Sequence, residues 1–145
     1  MADSRFHTYS PDQVSIVFSG VLMDGLGEDT FLTLAKNSEA YTTTVGVDGK
    51  VTRNKILDES GTFTITLSAS SNVNDQLSAI YNLDRLTPGG AGVGPFTVRD
   101  NSGRTLLHCP EAWISSYPDL EFGQENGENE WVISFSKCEV VIGGR

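Results

Sequence analysis

The sequence predicts a mainly β domain, a β-sandwich or partly closed β-barrel with one flanking α-helix over 72–86 and a long protruding β-hairpin arm over 40–57. Three observations carry this expectation. Short runs with apolar residues at every second position recur along the chain. The clearest is GTFTITLS, where Phe63, Ile65 and Leu67 share one face and Thr62, Thr64, Thr66 and Ser68 the other. The period becomes helical in one place, where Val73, Leu77, Ile80 and Tyr81 fall at i, i+4, i+7 and i+8. Finally, YTTTVGVDGKVTRNK sets the turn pair Asp48-Gly49 between arms rich in valine and threonine. A chain of 145 residues with this pattern makes one domain, 1–145, able to bury a core without disulfide or metal staples.

The elements follow in order. Residues 1–12 are polar and charged and read as an extended N-terminal segment. Val14, Ile16 and Phe18 open a strand that continues through Val21 to Met23, DGLGED is a turn, and Phe31 to Lys36 is a second strand. After the hairpin and GTFTITLS comes the helix, with Asn72 as its N-cap and Asp75 in its first turn. TPGGAGVGP ends it as a flexible loop. Strands resume at Pro95 to Arg99, Thr105 to Cys109 and Ala112 to Tyr117. In WVISFSKCEVVIG the inward set moves from Trp131, Ile133 and Phe135 to Cys138, Val140 and Ile142. That change of parity predicts a bulge or bend near Ser136-Lys137.

The hairpin poses a problem of its own. Paired about Asp48-Gly49 as a two-residue type I′ loop, one face holds Tyr41, Thr43, Val45, Val47, Lys50, Thr52, Asn54 and Ile56. The other holds Thr42, Thr44, Gly46, Val51, Arg53 and Lys55, so neither face is continuously apolar. An isolated two-stranded ribbon is marginal in water, and this arm must lean on something beyond itself.

Charge is divided along the chain. The net charge is −9, which argues against gripping a phosphate backbone, since that binding runs on Lys and Arg. Yet Lys50, Arg53 and Lys55 cluster on the arm against the single acid Asp48. DLEFGQENGENE, in turn, carries Asp119, Glu121, Glu125, Glu128 and Glu130 with no base. A basic arm and a separate acidic loop on one molecule suit a head-to-tail contact between copies, which closes into rings or runs on as a filament.

Chemistry is sparse. His108 and Cys109 are strand neighbours pointing to opposite faces, so they do not form a base and nucleophile pair, and His7 lies in the N-terminal segment. GGAGVGP lacks the Lys-Ser/Thr of a phosphate loop, and DGLGED lacks the ligand spacing of a calcium loop. No catalytic residue, cofactor or metal is expected. Cys109 and Cys138 lack CxxC spacing and read as reduced, mostly buried thiols. The polar N-terminus and the absence of an apolar run long enough to span a bilayer lead to the expectation of a cytoplasm-like compartment and no membrane partner.

Four stretches together resemble the tail tube proteins of contractile-tailed bacteriophages: YSPDQVSIVFSGVLMDGLGEDTFLTL, VGVDGKVTRNK, SGTFTITLSASSNVNDQLSAIYNLD and EAWISSYPDLEFGQENGENEWVISFSKCEVVIGG. The resemblance covers nearly the whole chain. It implies hexameric rings, each subunit giving strands to a continuous inner β-barrel, stacked into a hollow tube that carries the genome inside a contractile sheath. It further implies that the arm over 40–57 reaches the next ring, with Val45, Val47 and Val51 docking apolar tips and Lys50, Arg53 and Lys55 making charged contacts. Implied partners are other copies of the chain, the sheath protein, baseplate and tail-terminator proteins, and a tape-measure protein and DNA passing the lumen without specific binding. The implied location is the virion tail, assembled in the host cytoplasm. A type VI secretion tube or baseplate component shares this architecture. A monomeric β-sandwich that binds a ligand or carbohydrate on the threonine face of GTFTITLS is the alternative from a different class.

Overall fold

The computed structural model describes residues 8, 11–24, 31–101, 104–124 and 127–143. Among them the chain forms β1 (Val14–Phe18), β2 (Val21–Leu22), β3 (Leu32–Lys36), β4 (Tyr41–Val45), β5 (Val51–Lys55) and β6 (Gly61–Ser68). Then follow α1 (Val73–Leu86), β7 (Gly94–Asp100), β8 (Leu106–Ser116), β9 (Glu128–Phe135) and β10 (Glu139–Val141). The fold is mainly β with one helix, as expected.

Eight strands make one antiparallel sheet in the order β2-β1-β7-β8-β9-β6-β3, with β10 added on β8, while β4 and β5 form a sheet of their own. The large sheet folds over on itself without closing. Phe63 of β6 and Phe96 of β7 belong to strands separated by β8 and β9, yet their rings stack at 4.4 Å between centroids. Phe18 extends this cluster at 6.1 Å from Phe96, and Phe135 at 5.1 Å from Phe63. The alternation of β6 is followed to the letter: Phe63, Ile65 and Leu67 are fully buried and the intervening hydroxyl residues half-buried. Gly61 begins that strand because a Cβ there would come 2.6 Å from the Phe135 ring. Helix α1 buries Val73 and Leu77, and packs against β2 and β8.

Several local expectations change. The opening run is a hairpin, not one strand: Ser19 and Gly20 both take positive φ, 49° and 87°, and return β2 onto β1 with Phe18 opposite Val21. Asn72 makes no side-chain cap; Ser71 Oγ accepts from the backbone N–H of Val73 at 3.3 Å instead. The glycine-rich loop is held, since Asp84 Oδ1 accepts from the backbone N–H groups of Ala91 and Gly92, each at 2.9 Å. Thr105 to Cys109 and Ala112 to Tyr117 are joined in the single strand β8. Its inward set passes from Leu107 and Cys109 to Ala112 and Ile114 across a register shift that contains Pro110, a residue with no N–H to give a ladder. Opposite it, β9 stops at Phe135 and β10 starts at Glu139, which places the break near Ser136-Lys137 where the parity predicted it. Ser136 N–H donates to Glu111 O at 3.3 Å across the two irregularities. Of the N-terminal segment, Pro11–Gln13 is a short 3-10 helix, while 1–7 and 9–10 lie outside the described residues, as do 25–30 of the DGLGED turn.

Candidate assembly surface

The ribbon of β4 and β5 turns through three residues, Val47, Asp48 and Gly49. Gly46 N–H donates to Lys50 O at 2.8 Å, Gly49 N–H donates to Gly46 O at 2.9 Å, and Gly49 takes φ 84°. Asp48 Oδ1 accepts from the Lys50 N–H at 3.1 Å and braces the turn. The left-handed residue at the third loop position belongs to a hairpin with a three-residue loop, so the two-residue type I′ pairing is corrected.

That correction reorders the faces, because a register change of one residue moves a whole strand to the other side. The arms pair as Tyr41↔Lys55, Thr43↔Arg53 and Val45↔Val51. Tyr41, Thr43, Val45, Val51, Arg53 and Lys55 therefore share one face. The ribbon is amphipathic after all. Arg53 lies over the Tyr41 ring at 4.3 Å from its centroid, an attraction that holds the guanidinium against the apolar side. The reverse face is polar, with Thr42, Thr44, Thr52 and Asn54, and Asn54 Nδ2 donates to Thr44 Oγ1 at 2.9 Å. Lys50 stands opposite Gly46 on this polar side, and Val47 sits fully exposed at the tip. All ten strand residues of the ribbon are exposed, so its apolar face is left uncovered among the described residues.

At the root, Ile56 N–H donates to Ala40 O at 2.9 Å and continues the ladder. Asp58 then gathers the Ser60 hydroxyl at 2.6 Å, the Ser60 N–H at 3.0 Å and the Ser38 hydroxyl at 2.8 Å. These bonds, the Ser60 hydroxyl first, hold the Asp58 carboxyl below its usual range. Beside the root runs a groove of about 710 Å³ whose walls include Leu34, Tyr41, Ile56, Phe135, Cys138 and Val140.

The acidic residues do not form one loop. Glu128 and Glu130 lie on β9, opposite Ser68 and Thr66 of β6, whereas Asp119 and Glu121 lie in the stretch after β8. The fold nonetheless brings these four together around one cavity of about 410 Å³. Glu125 lies outside the described residues. Sequence reading missed the apolar partners of these acids: Leu120 is 65% and Phe122 95% exposed, alternating with Asp119 and Glu121. The D-L-E-F alternation was the signal available. The sequence reading also set Tyr41 and Val45 apart from Val51, Arg53 and Lys55, which the one-residue change of register brings onto the same face. Among the described residues no group of His, Cys, Asp or Glu is arranged to hold a metal ion. His108 is exposed and Cys109 buried, on opposite sides of β8 as the alternation required.

Comparison with known proteins places these features in context. A curated relative, the structural protein ORF10 of Pseudomonas phage KPP10, is 31% identical over 97% of this chain and 84% of its own length. The fold is also that of solved chains at 7–9% identity. One, from a cap of the anti-feeding prophage, matches with a TM-score of 0.60 over 97% of this chain and 95% of its own. Another, from the sheath/tube terminator of an extracellular contractile injection system, matches with 0.61 over 96% and 100%. A third, from the sheath-tube complex of such a system, matches with 0.58 over 92% and 91%. The model of the bacteriophage PhiTE tail tube protein family matches residues 8–143, and the chain belongs to that family.

Proposed function

We propose that this tail tube protein assembles as hexameric rings that stack into a hollow tube inside a contractile sheath and conduct the genome into the host. The observation that carries the reading is the uncovered amphipathic face of the ribbon: an exposed strip of Tyr41, Val45 and Val51 flanked by Arg53 and Lys55, with no partner strand or core among the described residues. A second copy in an adjacent ring supplies the missing surface. Val47 enters that contact from the tip, and Lys50 contributes from the polar edge. The acidic surface of Asp119, Glu121, Glu128 and Glu130, together with Glu125 of the same sequence run, is the complementary surface, and its exposed Leu120 and Phe122 meet the valines. The role is structural and non-catalytic. The sheath, baseplate and tail-terminator proteins are its outer and end partners, and the tape-measure protein and DNA pass a lumen kept repellent by the net charge of −9. Assembly takes place in the host cytoplasm before the subunit takes its place in the virion tail.

Removing the ribbon tip, Gly46 to Val51, tests this directly. The variant should keep the β-sheet circular dichroism and thermal midpoint of the parent and yet sediment as a small species under conditions where the parent forms rings or tubes. Long tubes of that variant in negative-stain images, or a parent whose rings are not six-fold, would sink the reading.

A further inference from the structure

Two free thiols meet beside the root of the ribbon. Cys109 in β8 is fully buried, and Cys138 is half-buried in the bend that leads into β10. β10 pairs with β8 as Val140↔Leu107 and Glu139↔His108, so the next step of the ladder sets Cys138 opposite Cys109. The alternation agrees, because Glu139 and His108 are exposed and Cys109 faces the core. The Cys138 thiol itself donates to the carbonyl oxygen of Glu139 at 3.8 Å. Opposed residues of antiparallel strands have Cα atoms about 4.5–5.5 Å apart. That lies inside the span of about 4.4–6.8 Å that a disulfide bridges. The groove of about 710 Å³ is lined by Cys138 and not by Cys109, so one thiol of the pair meets solvent first.

We infer that Cys109 and Cys138 form a dithiol–disulfide site that closes on exposure to a small-molecule disulfide of the oxidised-glutathione class. The thiolate of Cys138 attacks one sulfur of the oxidant, whose S–S bond breaks. One glutathione leaves and takes up the proton lost by Cys138, and a mixed disulfide remains on Cys138. Cys109 then loses its proton, its sulfur attacks the Cys138 sulfur, and the second glutathione leaves carrying that proton. Two cysteine thiols are thereby oxidised to one disulfide and one oxidised glutathione is reduced to two thiols. Burial raises both thiols above their ordinary range, Cys109 most, which keeps the thiolate fraction small and the exchange slow. The site therefore stays open in reducing surroundings and closes during residence in oxidising ones. Once closed, it clamps β10, with its exposed Val140 and Val141, to β8. This inference rests on strand register and holds whether or not the ring assembly does.

The test incubates the purified full chain with oxidised glutathione at mildly alkaline pH, blocks remaining thiols, and maps peptides without reduction. The expected result is a Cys109–Cys138 linked peptide, loss of both titratable thiols, unchanged sedimentation, and a thermal midpoint raised by roughly 5–10 °C and restored by dithiothreitol. The Cys138→Ser chain should show no rise and an unreactive Cys109. Glutathione retained on Cys138 beside a free Cys109, dimers linked through Cys138, or thiols that survive oxidant sufficient for an unstructured cysteine peptide would each overturn the site. A bond that forms without raising the midpoint overturns the clamp.

Discussion

Trp131 Nε1 donates to Asn74 Oδ1 at 3.0 Å, so the first turn of the helix and the last long strand share an acceptor. Asn129 Nδ2 donates to the same oxygen at 3.2 Å, and Asn74 Nδ2 donates to the carbonyl oxygens of Ser68 at 2.9 Å and Ser71 at 3.0 Å. One amide joins α1, β9 and the end of β6. Asn74→Ala should cost about 2 kcal/mol by leaving the indole N–H without an acceptor. For a domain of this size that is a fall in thermal midpoint of roughly 4–8 °C. Combined with Trp131→Phe, the loss should be smaller than the sum of the two single losses. Strict additivity in calorimetry would place the stability elsewhere.

Neighbouring residues on the ribbon should behave oppositely. Val51→Asp puts a charge on the apolar face, and that chain should fold but fail to assemble. Thr52→Asp, on the polar face, should assemble close to the parent. Both should unfold within about 0.5 kcal/mol of it, as exposed substitutions do. Sedimentation with a parallel melt reads both quantities, and the reverse ranking would restore the two-residue pairing of the arms.

Charge should matter at Arg53 more than at Lys50, since Arg53 shares the face of Tyr41 and Lys50 does not. The Arg53→Glu, Lys55→Glu chain should assemble several-fold less well, at about 0.5 kcal/mol for each exposed pair. Asp119→Lys with Glu121→Lys should recover part of that loss in the same chain. The defect should shrink as salt rises through 0.15 M, where the screening length is about 8 Å. Light scattering during assembly follows all three; an equal defect from Lys50→Glu would count against the face assignment.

The root of the ribbon should loosen in acid. Asp58 is held below its unfolded value of 3.8, so its bonds contribute fully above that value. The contribution is lost as pH falls through the lowered folded value. Carboxyl carbon resonances should give Asp58 a midpoint below 3.8, and Ser60→Ala should move it up toward 3.8. No movement would mean that the hydroxyl does not set the titration.

Local period was legible and turn detail was not. β6, the helical stripe and the break after Phe135 were readable because each is a change or persistence of spacing within a few residues. The β1–β2 turn escaped because Ser19-Gly20 interrupts a run that stays apolar on both sides. β8 read as two strands because Pro110 looks like a stop, whereas a register shift gives it a place where no N–H is needed. The ribbon's register escaped because Asp-Gly fits both two- and three-residue loops. Only the bond between Gly46 and Lys50 decides between them. The four acids came together through the pairing of β9 with β6 and the path of the chain after β8, and no local pattern encodes that.

The three-residue loop also constrains how this arm can change in evolution. With the loop kept, one extra residue in each strand would leave the ribbon paired but turn the tip's inward residues outward relative to the root. Lengthening that keeps Tyr41 and Val45 on the same side needs two residues in each strand, four in all. Tail tube proteins that use the arm in this way should differ in its length by multiples of four, so the reach between subunits is adjustable in steps rather than continuously.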